Sequence, residues 1–105
     1  MRRVWLIAPA VLAGVVAGSV GAQARGDARA GEEIANRWCA TCHIVSEGQE
    51  RGSAAVPTFM EIAARSEGDL AWLDGFLADP HPMMPDMSLT RQEIQDLVSY
   101  IASLR

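Results

Sequence analysis

The chain opens with the charged tripeptide Met1-Arg2-Arg3, followed by an apolar run over residues 4–20 in which Ser19 is the one polar side chain. Further on, apolar positions recur at the spacing of three and four that marks one face of a helix. A first helix is predicted over residues 28–39, with Asp27 as N-cap and Glu32 and Glu33 in its first turns, where the helix dipole favours acids. A second begins near Pro57-Thr58, with Thr58 as cap and Phe59, Ile62 and Ala63 on one face. A third is predicted over residues 69–78, where Leu70, Leu73, Phe76 and Leu77 form a stripe. The last is the plainest: Thr90-Arg91-Gln92-Glu93 is a capping box, and Ile94, Leu97, Val98, Ile101 and Leu104 make a continuous seam behind it. No stretch alternates apolar and polar residues as a half-buried strand does. The predicted class is all-α.

Two connecting segments carry more information than their length suggests. Residues 46–55 are polar, with Gly48 and Gly52, and are expected at the surface. Residues 79–87 contain Pro80, Pro82 and Pro85 together with Met83, Met84 and Met87. Proline removes amide donors and fixes φ, so this segment is not helical. It is a stiff loop that displays thioethers.

The order of charge, apolar run and then Ala22-Gln23-Ala24, a small-x-small site before a polar stretch, is that of a secretory signal peptide. A transmembrane anchor is the competing reading, because the run approaches the ~20 residues a bilayer helix needs. Pro9, Gly14 and Gly18 count against it. The organisation expected is therefore a signal peptide over residues 1–24 and one domain over residues 25–105, exported to the periplasm. Membrane attachment is expected only if the segment stays uncleaved. The mature domain keeps seven arginines, no lysine and thirteen acids, a formal charge of −6. That balance argues against nucleic acid and anionic lipid as partners and leaves a basic protein open. So small a domain also buries little apolar surface. Its only two cysteines, Cys39 and Cys42, would close a tiny loop if bridged, so a disulfide would add little.

Those cysteines belong to Cys39-Ala40-Thr41-Cys42-His43, the C-x-x-C-H pattern of haem c attachment. Two thiols one helical turn apart reach the two vinyl groups on one side of a porphyrin, and the next imidazole turns onto the iron. A thioredoxin-like pair would need a strand and βαβ surroundings. A closed zinc site would need four ligands, and His81 is the one other histidine. An electron-transfer haem takes six ligands in both oxidation states, and a methionine opposite histidine raises the potential. Met60 falls on an apolar helical position, which leaves Met83, Met84 and Met87 as candidates.

On these motifs, residues 26–105 resemble the small class I cytochromes c of bacterial periplasms. The resemblance covers the C-x-x-C-H sequence, the segment Pro80-His81-Pro82-Met83-Met84-Pro85, and a capped last helix ending in Tyr100-Ile101. In that family the ligating methionine directly precedes a proline, the position of Met84. The resemblance implies a cytochrome c fold of three to four short helices around one haem, with the first and last crossing near-perpendicularly. It also implies a small residue on the first helix at that crossing, matched by Gly31, against an aromatic on the last, matched by Tyr100. The family often carries an aromatic where Ala35 stands, so the crossing is either looser here or filled by Trp38. A proline carbonyl accepts the Nδ1 proton of the axial histidine in the family, and Pro57 is the matching residue.

The expectation is a periplasmic electron carrier and not an enzyme, with one haem c on Cys39 and Cys42, its iron held by His43 and Met84, and Pro57 supporting the ring. Its partners would be a redox protein donor and acceptor, with no small-molecule substrate. A dedicated cytochrome subunit of a periplasmic dehydrogenase is the alternative, then a haem-based sensor whose methionine leaves easily. Trp38, Trp72 and Tyr100 are read as packing residues, His81 as a surface or propionate-contacting side chain with a sixth-ligand role as its alternative, and the acids as mostly a solvated surface.

Overall fold

The computed structural model describes residues 2–14, 26–66, 69–80 and 83–105. Residues 2–14 form no helix, and side chains such as Trp5, Leu6 and Leu12 in this stretch are exposed. No helix among the described residues is long and apolar enough to cross a membrane. The domain beyond it contains four α-helices and no strand among its described residues: α1 (Ala28–Ile34), α2 (Phe59–Arg65), α3 (Ala71–Ala78) and α4 (Arg91–Ala102). The all-α class expected from the periodicity holds.

Each start has a local cause. Asp27 caps α1 by accepting the amides of Arg29 at 2.9 Å and Ala30 at 3.4 Å. Glu32 and Glu33 lie beyond the first turn of α1, so the expected dipole contribution there is not made. Thr58 and Thr90 open α2 and α4 with complete capping boxes, closed by Glu61 and Glu93. The predicted start of α3 is corrected by two residues. Asp69 does not enter the helix; its carboxylate accepts the Ala71 amide at 3.2 Å, a turn that competes with helical pairing.

The predicted first helix also changes character midway. Residues Ala35–Cys39 form a π-helical turn, closed by the Ala40 amide on the Ala35 carbonyl at 3.0 Å. One extra residue in the turn rotates the downstream chain by roughly 100° against an uninterrupted α-helix. The Cys39 to His43 segment is thereby aimed independently of the face that α1 buries.

That face is Gly31 and Ile34, continued by Ala35, and it packs on α4, which also touches α2 and α3. The core joins Ile34, Ala35 and Cys39 to Phe59 and Ala63 of α2, Leu73 and Leu77 of α3, and Ile94, Leu97, Tyr100 and Ile101 of α4, with Val45 supplied by a loop. Trp38 does not fill the crossing, where Ala35 is fully buried. Trp38 and Trp72 lie at the surface, 51 % and 52 % exposed, against the expectation of packed residues. One acid departs from the mostly solvated surface expected of them. Asp96 on α4 is only 8 % exposed, and its Oδ1 accepts the Asp27 amide and the Gln92 side-chain amide, both at 2.8 Å. Burial of a carboxylate is tolerated because both donors are built into the crossing.

A Cβ added at Gly31 would enter the Asp96 carbonyl group and lie 2.8 Å from Tyr100 Cβ. The obstacle is backbone, which cannot swing aside. Gly31→Ala is therefore expected to lower the unfolding free energy of the holoprotein by about 3 kcal/mol, the upper range for overpacking. Gly48→Ala, where a Cβ meets nothing within 4 Å, should stay within about 0.5 kcal/mol. Denaturant titration of both variants checks the pair.

Candidate haem site

The C-x-x-C-H segment continues the π-helical turn as a tight helical bend. The amides of Cys42 and His43 both donate to the Cys39 carbonyl, at 3.2 and 2.9 Å. Residues three and four apart lie on one side of such a bend, so Cys39, Cys42 and His43 are brought to a common side. Both thiols are free, Cys39 buried and Cys42 exposed. Burial pushes the Cys39 thiol up to about 11 by desolvating its thiolate. A neutral sulfur suits that environment. Among the described residues no group of three or more His, Cys, Asp and Glu side chains is arranged to hold a metal ion. Two free thiols beside one imidazole are a donor set that fits thioether attachment.

His43 is held at its ring as well as its backbone. Its Nδ1 lies 2.6 Å from the Pro57 carbonyl oxygen. A carbonyl only accepts, so Nδ1 carries the proton, and in the neutral ring Nε2 then holds the lone pair. The ring is flanked by Phe59, with centroids 5.4 Å apart and planes tilted by 51°. Pro57 can present its carbonyl because the next residue but one, Phe59, donates its amide to the Ile44 carbonyl at 2.9 Å, tying the start of α2 to the residue after His43.

Of the loop methionines, Met84 is half-buried and packs against the core. Met83 is fully exposed with φ 87°, in the left-handed region that L-residues avoid. Met87 is half-buried but does not join the core cluster. His81 lies outside the described residues. Around the core, Met60, Ile62, Phe76, Met84, Leu89 and Val98 are only partly covered by protein. Their uncovered parts are apolar surface of the kind a flat apolar group would cover. Together with the free thiols and the oriented imidazole, it fits haem c.

Sequence reasoning missed two features of this site. Tyr100 does more than pack: its hydroxyl donates to the Val45 carbonyl at 2.5 Å across the core. Burial, with a smaller contribution from the Glu32 charge, raises the Tyr100 phenol pKa, so the donor stays protonated. Gln49, in a segment read as a polar surface loop, turns inward and binds the backbone of the motif. No periodicity or motif marked either role, since both depend on residues brought together by the fold.

A small helical domain with free paired thiols, an adjoining oriented imidazole and a thioether loop defines a c-type cytochrome, an electron carrier and not an enzyme. Residues 26–101 match the family described as cytochrome C oxidase, cbb3-type, subunit III, and the chain belongs to that cytochrome c family. It is also similar to cytochrome c-552 of Bradyrhizobium diazoefficiens, at 46 % identity over 90 residues that span 86 % of each chain. No solved structure matches the chain. The cofactor is covalently bound haem c with its iron, and the protein passes single electrons between redox protein partners.

Tyr100→Phe removes the donor and leaves the buried Val45 carbonyl unpaired. An unsatisfied buried acceptor costs about 1–3 kcal/mol. Thermal unfolding of the holoprotein should register a loss in that range, with the haem still attached by mass.

Proposed function

We propose that haem c is fixed to Cys39 and Cys42 as thioethers, with His43 and Met84 as the residues that would hold its iron, in a carrier exported to the periplasm after removal of residues 1–24. The single observation that carries the ligand assignment is the 2.6 Å contact between His43 Nδ1 and the Pro57 carbonyl. It orients the ring, fixes its tautomer and leaves Nε2 as the donor, the arrangement of a metal-bound histidine with a supporting carbonyl. When bound, haem c supplies a one-electron ferric/ferrous couple, which a neutral thioether ligand shifts toward the reduced state.

The protein's own part in the reaction is to hold and to exclude. His43 is anchored at its amide and its ring, so little rearrangement is needed as charge changes. Met84 sits at the edge of the core, where its unbranched thioether reaches inward without disturbing packing. Met87 is the runner-up ligand, and Met83, facing outward, is the weakest. With His43 and Met84 both holding the iron, no open position would be left for substrates or oxygen, and the group would supply electron transfer alone. Export is supported by the order of charge, apolar run and small residues at the N-terminus and by the absence of packing for residues 2–14.

A second reading is that the protein stays in a stable complex, as the subunit of a larger enzyme. The family description, that of an oxidase subunit, favours it. Gentle purification from the native membrane and periplasmic fractions separates the readings: a free carrier elutes alone, and a subunit elutes with its enzyme.

Replacement of both cysteines by alanine is expected to leave the exported protein colourless and at the bare polypeptide mass. Met84→Ala should keep the covalent haem yet abolish the weak near-infrared charge-transfer band that reports sulfur bound to ferric iron. Loss of the band in Met87→Ala instead would move the ligand to Met87.

A further inference from the structure

The segment between the C-x-x-C-H bend and α2 is closed from inside by one side chain. Gln49 Oε1 accepts the Val45 amide at 2.9 Å. Its Nε2 lies 3.0 Å from the Ala40 carbonyl, 2.7 Å from that of His43 and 2.6 Å from that of Arg51. Two N–H groups are thus shared among three carbonyls, and the opposite amide orientation would set oxygen against oxygen at all three. Gln49 binds backbone on both sides of the Cys42-His43 pair and within it, at Ala40 before it, at His43 itself and at Val45 after it.

His43 therefore has three anchors. Its amide bonds to Cys39 within the helical bend, its ring bonds to the Pro57 carbonyl, and its carbonyl is held by Gln49. The first two use backbone carbonyls that any residue at positions 39 and 57 would supply. The third comes from a side chain. A fixed His43 carbonyl fixes the peptide plane on that side of the residue, and with it the direction from which the imidazole leaves the backbone. Val45, held by Gln49 at its amide, is also held by Tyr100 at its carbonyl. The clasp is thereby braced on α4 rather than floating in the loop.

We propose that Gln49 is a positioning residue for the axial histidine: by holding the Ala40 and His43 carbonyls and the Val45 amide, it sets the imidazole and keeps the His43 to Pro57 hydrogen bond closed to water. The inference rests on the assignment of His43 as an iron ligand. A clasp that served the loop alone would lower stability and leave the ring and the iron unaffected.

The holoprotein provides the test. In the ferric state, the hyperfine-shifted proton resonance of His43 Nδ1–H is monitored for solvent exchange, alongside the midpoint potential. Gln49→Ala is expected to speed that exchange by about tenfold or more, since the closed state loses its holding bonds. It should also lower the potential, because water near the ring favours the more charged ferric form. Gln49→Glu keeps an acceptor for Val45 and loses both donors to the carbonyls. It is expected to move both readouts in the same direction, and it serves if the alanine variant does not fold. Glu47→Ala, at an exposed position of the same loop, should leave both at their wild-type values. Unchanged exchange and potential in the Gln49 variants, whatever happens to stability, would overturn the proposal. A wild-type holoprotein with no exchangeable, hyperfine-shifted imidazole resonance would overturn the ligand assignment itself, and the role of Gln49 with it.

Discussion

The close approach of α1 to α4 at Gly31 is the constraint on which the rest of the structure depends. With no Cβ at that position, the α1 backbone lies directly against the Asp96 carbonyl and beside Tyr100. Separating the helices by the width of a methyl group would part the α1 backbone from Asp96 and from Tyr100, whose hydroxyl holds Val45. Val45 is the point at which the loop after the cysteine-histidine motif enters the core, fully buried and bonded at both its polar backbone groups. Helix crossing, loop and histidine are thus linked through a single glycine.

The crossing is polar as well as tight. The Asp96 carboxylate receives the amide of Asp27 while Asp27 caps α1 with its own side chain. One acid starts the helix and the other ties that start to α4. The arrangement resolves two problems at once: the orphan amides of a helix N-terminus and the desolvation of a buried acid. It also shows why a protein with a strong acidic excess can bury one of its acids. The donors are backbone and amide groups that need no counter-charge.

The helices were legible because their signals are local. Thr90 and Glu93 satisfy each other's amides whatever the remainder of the chain does, and the seam of Ile94, Leu97 and Ile101 needs only a surface to bury against. Elsewhere local signals competed. Asp69 reads as the first residue of a helix but forms its own turn, and the π-helical turn at Ala35–Cys39 leaves no trace in hydrophobic spacing. The tryptophans misled because size and apolarity measure what a side chain gains by burial, not whether room exists for it. At the crossing the space was already taken by backbone, so Ala35 is inside and Trp38 is outside.

By itself the sequence determined the helical class, the caps of α1, α2 and α4, and the chemistry at hand: two thiols one turn apart, an imidazole beside them and a proline-stiffened run of thioethers. These arise from bonds and spacings within a few residues of one another. Only the tertiary structure decided which proline carbonyl meets the imidazole, which glutamine closes the loop, which acid is buried and which phenol reaches Val45. Those contacts reach as far as 14 positions for His43 with Pro57, 55 for Tyr100 with Val45 and 69 for Asp27 with Asp96. Their partners are chosen by packing, and packing at a distance leaves no period in the chain from which it can be read.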